Sequence, residues 1–265
     1  RYGLRGECTN IVTACATGTH CVGEAFRLIR TGYADMALCG GTEETISPIA
    51  IAGFANLGAI TKAENPLDAS KPFDVDRSGF VPAEGAGALV LESLDHALAR
   101  GANIIAEVTG FGSTGDGYHM TAPEPSGEGA ARAMAQALAE AGFTPSELGH
   151  VNAHGTSTHA NDAMEAAALK RLVGDELASK VPVTSIKGAT GHMLGGAGAV
   201  EAIVTALSVA KSCVPPTVGF STPDPEAPAN VSTELREHLP QLVALSNSFG
   251  FGGHNASIAI SPFIA

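Results

Sequence analysis

The chain has 265 residues, 45% of them hydrophobic and 16% charged, with a formal net charge of −12. This length and composition are typical of a globular protein with a large core in one or two units. The acidic balance argues against a nucleic-acid partner, and no apolar run approaches the ~18 residues of a membrane span, so neither nucleic acid nor membrane is expected as a partner.

The five cysteines lack CxxC spacing, and an odd count in a chain of this size indicates reduced thiols in a cytosol-like compartment. The expected location is therefore cytoplasmic, or an organellar matrix or stroma in a eukaryote. The chain has no recognisable signal peptide and begins at Arg1 in the middle of a pattern, so we expect a fragment or a processed product.

Residues 11–20 are predicted to form a short apolar strand, a cysteine and then small residues that open a helix. The helix prediction rests on apolar residues that share one face at helical spacing: Val22, Ala25, Phe26, Leu28 and Ile29. Cys15 then lies near the positive end of a helix dipole, which favours the thiolate and makes the sulfur a nucleophile. The alternative is a buried, inert cysteine, the commoner fate of a lone cysteine among apolar residues.

The rest of the chain alternates strand-like and helical patterns. Strands are predicted at 35–39, where Gly40 and Gly41 close the strand, and at 87–91, 104–111, 150–153, 181–185, 242–246 and 256–261. Helices are predicted at 94–99, 128–141, 162–172 and 197–210, and residues 47–76 are expected to be loop-rich because prolines interrupt them. This alternation indicates an α/β fold with a largely parallel sheet covered on both faces.

Three further stretches carry candidate chemistry at predicted strand ends, where active sites of open α/β sheets lie. His154 is part of the hydroxyl-rich stretch 152–158, and Lys187 and His192 lie in the glycine-rich stretch 185–198. The glycines of 247–255 allow close backbone approach to a ligand and can turn N–H groups inward as an oxyanion site.

Each stretch also has a less specific interpretation. A single histidine near a strand end is usually a hydrogen-bonded structural residue. His154 and His159 are not at zinc-like spacing, so no metal is expected there. The glycine-rich segments match neither GxxxxGK[ST] nor GxGxxG in a strand–turn–helix context, so a nucleotide site is not expected. The combination of one cysteine, two histidines, a lysine and a Gly-Phe-Gly loop favours an acyl-transfer site.

With these motifs the chain resembles the β-ketoacyl-[acyl-carrier-protein] synthases, the elongating condensing enzymes of fatty acid synthesis, and most the synthase II type. The matching segments are 13–15, 152–158, 187–192 and 247–253, in the family's order and approximate spacing. A Cys-His-His set distinguishes this group from thiolases, which use two cysteines and a histidine, and from initiating synthases, which use Cys-His-Asn.

The resemblance implies the thiolase fold, two similar α/β halves in layered α-β-α-β-α packing. Residues 1–102 would be the remainder of an incomplete N-terminal half, and residues 103–265 the C-terminal half. The resemblance also implies an acyl carrier protein as partner, a homodimer for the full-length protein and no cofactor. Because this chain lacks the opening strands of the family, we expect it to expose the edge of a sheet and to be less stable than a whole synthase.

The resemblance implies a covalent acyl group on Cys15, with the backbone N–H groups of Cys15 and Phe251 as the oxyanion hole. His154 and His192 would donate hydrogen bonds to the malonyl thioester oxygen, best as neutral imidazoles that donate from Nε2. Lys187 would tune the electrostatics of the site.

Supporting and substrate-binding roles are implied as well. Glu165 would be a partner of Lys187, and Glu201 would have a structural role. Four residues resemble the family's substrate contacts: Thr156, Thr158, Phe249 and Phe251, with Phe251 as the gate of the acyl pocket.

The chain departs from the family pattern at three places. Residues 53–58 lack the Arg or Lys often found there, with Gly58 in the loop, which removes a basic contact for an acidic carrier protein. His159 is at a position where the family commonly has Pro, and His254 is at one where it commonly has Thr. We expect altered loop shapes at these positions rather than lost catalytic chemistry.

Three alternative functions remain. The first is a polyketide ketosynthase, which catalyses the same reaction. The others are a non-catalytic partner similar to a chain-length factor, and a binding protein without chemistry.

Overall fold

A computed structural model describes residues 3–264 and places them in two sheets with helices between and outside them. The smaller sheet pairs strands β1 (Met36–Glu43) and β2 (Gly85–Glu92) in antiparallel register. The larger sheet contains β3 (Ala106–Gly115), β4 (Leu148–Asn152), β5 (Val183–Thr184), β6 (Val243–Gly250) and β7 (His254–Pro262) in the order β3-β7-β6-β4-β5.

The main helices occupy most of the segments predicted as helical. Their bounds are α1 (Thr17–Arg30), α2 (Pro48–Asn56), α3 (Leu94–Ala99), α4 (Glu128–Ala141), α5 (His159–Val173), α6 (Asp175–Ala178), α7 (Lys187–Thr190) and α8 (Leu194–Lys211). The two sheets fall on either side of the predicted boundary at residues 102/103, which itself stays a prediction.

Two apolar cores show how the layers stack. One core joins α4 and α5 to one face of the larger sheet, including Met134, Met164 and Leu245. The other fills the opposite face with Val22 of α1 and Ile258 of β7, and inward-facing residues of the smaller sheet pack against it. The order of layers is therefore helix, sheet, helix, sheet, which confirms the predicted layered α/β architecture.

The larger sheet is mixed, so the prediction of a largely parallel sheet was wrong. Strands β4, β5 and β6 run parallel, but β7 is antiparallel to both β6 and β3. The short glycine-rich turn between Gly250 and His254 joins β6 to β7 as a hairpin, and such a connection permits only antiparallel pairing.

Several local predictions were also wrong. Residues 11–13 lie outside any strand that the structure describes, and β1 continues through Gly40 and Gly41. Within the predicted loop region, α2 begins after Ser47, whose hydroxyl accepts a hydrogen bond from the N–H of Ala50 at 3.4 Å.

The smaller sheet is also less buried than the sequence predicted. Leu38 of β1 and Val90 of β2 are direct cross-strand partners, and they remain 63% and 58% exposed. Their neighbours Cys39, Leu89 and Leu91 face the core instead, so the sheet has one solvated face.

Helix α8 is long and apolar enough, by length and composition, to cross a membrane, which the sequence analysis did not expect. Most of it is buried between the two sheets, where the core helix of a globular protein satisfies the same criteria. Its N-terminal end packs closely on α1, because a Cβ at Gly18 would lie only 2.5 Å from the N–H nitrogen of Ala199. The glycine at this position lets the two helix ends that flank the candidate site come together.

We predict that His150 makes stability depend on pH. Its side chain is fully buried on β4, and this burial lowers the pKa of the imidazole to about 3. In the unfolded chain His150 binds a proton near pH 6.5, whereas in the folded chain it does not. The contribution of His150 to the unfolding free energy is therefore complete above that pH and is lost as the pH falls below it.

Between pH 7.5 and 5.5 the unfolding free energy should therefore fall by about 1.4 kcal/mol more for the wild type than for His150→Leu. Denaturant titrations of both proteins at the two pH values measure this difference, and the other titratable groups cancel in it. Equal pH dependence of the two proteins would contradict the assignment of a neutral buried His150.

Candidate functional site

Cys15 lies in the 3-10 turn Ala14–Ala16, which leads directly into α1. Ala14 has a φ of +50°, a left-handed conformation that turns the chain sharply before the cysteine. The end of β6 approaches this turn closely, since a Cβ at Gly250, its last residue, would lie 2.7 Å from the carbonyl oxygen of Thr13. A glycine is therefore needed at this position to bring the end of the strand beside the cysteine.

The pKa of the Cys15 thiol is raised to about 11, chiefly because burial disfavours the thiolate. The Lys187 ammonium and the backbone N–H groups of Phe251 and Cys15 oppose this effect and lower the pKa. The prediction that the helix end favours a thiolate at Cys15 was therefore wrong, because burial raises the pKa more than the ammonium and the two N–H groups lower it. The same two N–H groups face the sulfur, so they lie near the position that the carbonyl oxygen of an acyl group on Cys15 would occupy.

His154 follows the end of β4, in a tight turn that Glu165 of α5 holds in place. The two carboxylate oxygens of Glu165 accept the N–H groups of His154 and Gly155, each at 2.8 Å. Burial raises the pKa of Glu165 to about 7, and these two N–H donors act to lower it. Glu165 thus fixes the backbone of the turn, and it does not pair with Lys187 as the sequence analysis expected.

The partner of Lys187 is Glu201 of α8, which was expected to have only a structural role. The ammonium and the Glu201 carboxylate form a buried ion pair, with side chains 2% and 1% exposed. The Lys187 Nζ also donates to the carbonyl oxygen of His154 at 2.6 Å and lies 3.4 Å from the Nδ1 of that imidazole. Burial raises the pKa of Glu201 to about 7, while Lys187 acts to lower it.

Both histidines of the site are neutral. Burial and the nearby ammonium of Lys187 hold the pKa values of His154 and His192 well below the usual value of 6.5. An ammonium carries only donors, so the Nδ1 of His154 is the acceptor in its contact with Lys187. The ring proton of His154 is therefore on Nε2, the atom directed away from Lys187.

His192 lies in the turn before α8, with its ring edge-on to that of His154 at a centroid distance of 5.2 Å. The ring of Phe80 packs against its other side, also at 5.2 Å. The sulfur of Cys15 and one ring nitrogen of each histidine all lie within 4.8 Å of one another.

The cluster lies in a cleft of about 340 Å³ that reaches the surface. The four predicted substrate contacts all line it, as does His159 at the start of α5: Thr156, Thr158, Phe249 and Phe251. The hydroxyls of Thr156 and Thr158 lie 2.9 Å apart, and Thr158 caps α5 by accepting the N–H of Asn161 at 3.4 Å. The structure therefore brings the predicted reactive and substrate-contacting residues together around one cleft. Lys187 and Glu165 do not line it but contact His154 from inside the protein, and Glu201 contacts Lys187.

A buried charge cluster that no sequence pattern predicted lies next to the start of α5, whose residues line the cleft. The guanidinium of Arg77 lies 3.5 Å from Asp162, forms an ion pair with Asp224 and donates to the carbonyl oxygen of Thr158 at 3.4 Å. These contacts fix the start of α5 to the segment that carries Phe73, whose N–H donates to Asp162 at 2.8 Å.

The sequence analysis also missed Glu43, the last residue of β1. Its carboxylate accepts the N–H of Gly195 at 3.1 Å and so connects the smaller sheet to the first turn of α8, just after His192. Its negative charge contributes to the raised pKa of Cys15. No local motif marks Glu43, so only the folded chain reveals this contact.

We predict that Glu43→Gln makes Cys15 more reactive. The amide oxygen still accepts the Gly195 N–H, but the loss of the negative charge lowers the pKa of the thiol. Iodoacetamide should then label Cys15 about twofold faster at pH 8, as measured by peptide mass spectrometry. Glu44→Gln is the matched control, since it changes the exposed neighbouring acid and should leave the labelling rate unchanged. A rate for Glu43→Gln at or below that of the wild type would contradict this assignment.

Comparisons with known protein families agree with the site. Residues 1–97 match the model described as beta-ketoacyl synthase, N-terminal domain, and residues 105–221 match beta-ketoacyl synthase, C-terminal domain. Together the two matches cover most of the chain.

Similar proteins include a 3-oxoacyl-[acyl-carrier-protein] synthase 2 of Rhizobium meliloti, 50% identical over 99% of this chain and 62% of that protein. The enzyme of the same name from Synechocystis sp. is 48% identical over 98% of this chain and 63% of that protein. The chain thus spans about 63% of the length of these curated relatives.

Solved structures with the same fold include a ketosynthase in complex with its type II polyketide acyl-carrier protein, with a TM-score of 0.93 and 38% identity. That similarity covers 98% of this chain and 64% of the other. A beta-ketoacyl synthase from Burkholderia phymatum has a TM-score of 0.89 and 38% identity over 95% of this chain and 60% of the other.

Proposed function

The chain belongs to the β-ketoacyl synthase family, and from this premise we propose that it carries the site of a 3-oxoacyl-[acyl-carrier-protein] synthase of fatty acid elongation. The reaction is a decarboxylative Claisen condensation between an acyl group on Cys15 and a malonyl group on a carrier protein. The observation that carries the proposal is the buried cluster of one thiol and two neutral imidazoles within 4.8 Å of one another.

In the first step the sulfur of Cys15 attacks the carbonyl carbon of an acyl thioester. The backbone N–H groups that face the sulfur, from Cys15 and Phe251, hold the oxyanion that forms. The thiolate of the carrier's pantetheine arm leaves and takes up the proton that Cys15 has lost. A site that starts with a neutral thiol therefore ends with a neutral thioester and needs no resting thiolate.

In the second step malonyl-carrier protein loses carbon dioxide, and the electron pair of the broken bond remains on the α-carbon as an enolate. His154 donates from Nε2 to the thioester oxygen where this negative charge develops, and His192 lies beside it as the second donor. Neutral imidazoles suit this role because they donate a hydrogen bond without bringing a net positive charge into a buried site.

The carbanion then attacks the thioester carbon on Cys15, and a new carbon–carbon bond replaces the carbon–sulfur bond. The product is a 3-ketoacyl chain two carbons longer on the carrier, and Cys15 leaves as a thiolate that takes up a proton from solvent. The Lys187 ammonium stabilises this transient thiolate, since it lowers the pKa of the thiol.

The carrier protein and a second copy of the chain are the proposed partners of the whole protein. We infer that the hydroxyls of Thr156 and Thr158, which lie 2.9 Å apart, bind the amides of a pantetheine arm. Both residues line the cleft with Phe249 and Phe251, which supports this role. A cytoplasmic location also remains a prediction, and the curated relatives named above come from bacteria.

A polyketide ketosynthase remains the second candidate, because a ketosynthase with its polyketide carrier protein has a TM-score of 0.93 to this chain. The identity of 48–50% to two fatty-acid-type synthases, against 38% to that ketosynthase, supports fatty acid elongation. The intact Cys-His-His set argues against a non-catalytic partner that resembles a chain-length factor.

We predict that the histidines act in condensation and not in acyl transfer. In His192→Ala and His154→Ala, loss of one hydrogen-bond donor to the developing enolate should lower the condensation rate about 10²–10³-fold. Acyl transfer to Cys15, followed by intact mass, should fall far less because its oxyanion donors are backbone N–H groups. His96→Asn, a change on the exposed helix α3, is the control and should leave both rates unchanged.

Condensation at the wild-type rate in both histidine variants would contradict the proposed second step. A wild-type protein that takes no acyl group from acyl-carrier protein would contradict the first step and favour the non-catalytic alternative. The two assays therefore test the two steps separately.

A further inference from the structure

We propose that His20 of α1 is a positioning residue for acyl transfer, because its imidazole holds the turn that aims the backbone N–H of Cys15 at the oxyanion. The role in acyl transfer rests on the proposed function, whereas the hydrogen bonds that hold the turn are those of the folded chain. His20 does not line the cleft, so it acts through the turn rather than on the substrate.

The imidazole of His20 contacts the turn on both sides of the cysteine. Its Nδ1 lies 2.9 Å from the hydroxyl oxygen of Thr13 and 3.1 Å from the carbonyl oxygen of Ala16. The N–H of Ala16 donates to the carbonyl oxygen of Thr13 at 3.1 Å and closes the same turn. One ring nitrogen thus joins the residue before Ala14 to the residue after Cys15.

The partners of this ring assign its proton. A carbonyl oxygen only accepts hydrogen bonds, so the Nδ1 of His20 carries the proton that it donates to Ala16 and shares with the oxygen of Thr13. The Nε2 then has a free lone pair and accepts the hydroxyl proton of Ser113, a residue of β3, at 2.9 Å. A neutral ring protonated on Nδ1 therefore satisfies all three contacts.

The turn requires such support because Ala14 is in a left-handed conformation. Its φ of +50° is unfavourable for a residue with a Cβ and persists only where the surrounding structure holds it. The N–H of Cys15 belongs to the planar peptide unit that follows Ala14. A return of Ala14 to a right-handed conformation would therefore rotate this N–H away from the position of the oxyanion.

The larger sheet in turn holds the ring of His20. Besides Ser113, β3 supplies Phe111, whose ring lies edge-on to the imidazole at a centroid distance of 5.8 Å. The same sheet contains β6, which ends at the turn that carries Phe251. His20 thus fixes the N–H of Cys15 relative to the sheet that supplies the second oxyanion donor.

Two reactions of the same sulfur distinguish this role from simple packing. Acyl transfer passes through an oxyanion that the N–H of Cys15 stabilises. Iodoacetamide instead forms a carbon–sulfur bond with loss of iodide, and no oxyanion appears. A misaligned N–H should therefore lower the acylation rate far more than the alkylation rate.

The test compares His20→Asn with His20→Gln. Asn carries its amide nitrogen on Cγ, where the imidazole carries Nδ1, so it can still donate to the turn. Gln carries its amide one carbon farther out, near the position of Nε2, so it fills more of the ring volume but leaves the turn without its donor.

The measured quantity is the rate of Cys15 acylation by acyl-carrier protein divided by the rate of alkylation. In His20→Gln this ratio should fall about 10–100-fold, since misalignment of an oxyanion donor costs less than its removal. In His20→Asn it should stay within about threefold of the wild-type ratio. The loss should lie in the maximum acylation rate and not in the half-saturating concentration of the carrier, because His20 does not line the cleft.

His96→Gln is the matched control, since it changes an exposed histidine of α3 and should leave the ratio unchanged. A second measurement uses the wild-type ring, which keeps the test independent of how well one variant folds. In protein with ¹⁵N-labelled histidine, the signal that is lost in either His20 variant should be that of a neutral ring protonated on Nδ1.

An unchanged ratio in His20→Gln would overturn the proposal, as would a larger fall in His20→Asn than in His20→Gln or a ring proton on Nε2 of His20. These results with an acylated wild type would refute the role of His20 alone. A wild-type protein that takes no acyl group would instead refute the proposed function and this role together.

Discussion

The ammonium of Lys187 is held inside the protein by the Glu201 carboxylate, the carbonyl oxygen of His154 and the Nδ1 of His154. Burial of an isolated ammonium would cost several kcal/mol, and removal of one partner of such a pair typically costs about 3–5 kcal/mol. Lys187 must therefore keep its contacts with both Glu201 and His154. His154 follows β4, and Glu201 lies on α8, which His192 precedes. This one ammonium therefore connects the two segments that supply the histidines.

Burial and the same ammonium together shape the electrostatics of the site. Burial, the larger effect, lowers the pKa values of both imidazoles and raises that of the Cys15 thiol, and the Lys187 ammonium lowers all three. The result is a cluster of three neutral groups beside one neutralised cation. Such a site favours reactions in which negative charge appears only transiently, as in attack on a thioester and formation of an enolate.

The sequence reveals the reacting residues because Cys15, His154 and His192 all lie in short motifs at strand or helix ends. It does not reveal Glu43 and Arg77, whose contacts with Gly195 and Asp224 join residues 152 and 147 positions apart. Proline was taken as a breaker at Pro48, although it occupies the first turn of α2, where proline is well tolerated. The pKa of Cys15 was misjudged because the opposing effects of dipole and burial depend on packing that a local pattern does not contain.

The contact with Lys187 fixes His154 as the neutral tautomer with its proton on Nε2. Long-range ¹H–¹⁵N correlation spectra of protein with ¹⁵N-labelled histidine measure this directly, and His154→Asn identifies the signal among the nine histidines. We expect the pattern of an Nε2-protonated neutral ring that does not change between pH 6 and 8. A proton on Nδ1, or a charged imidazolium in this range, would contradict it.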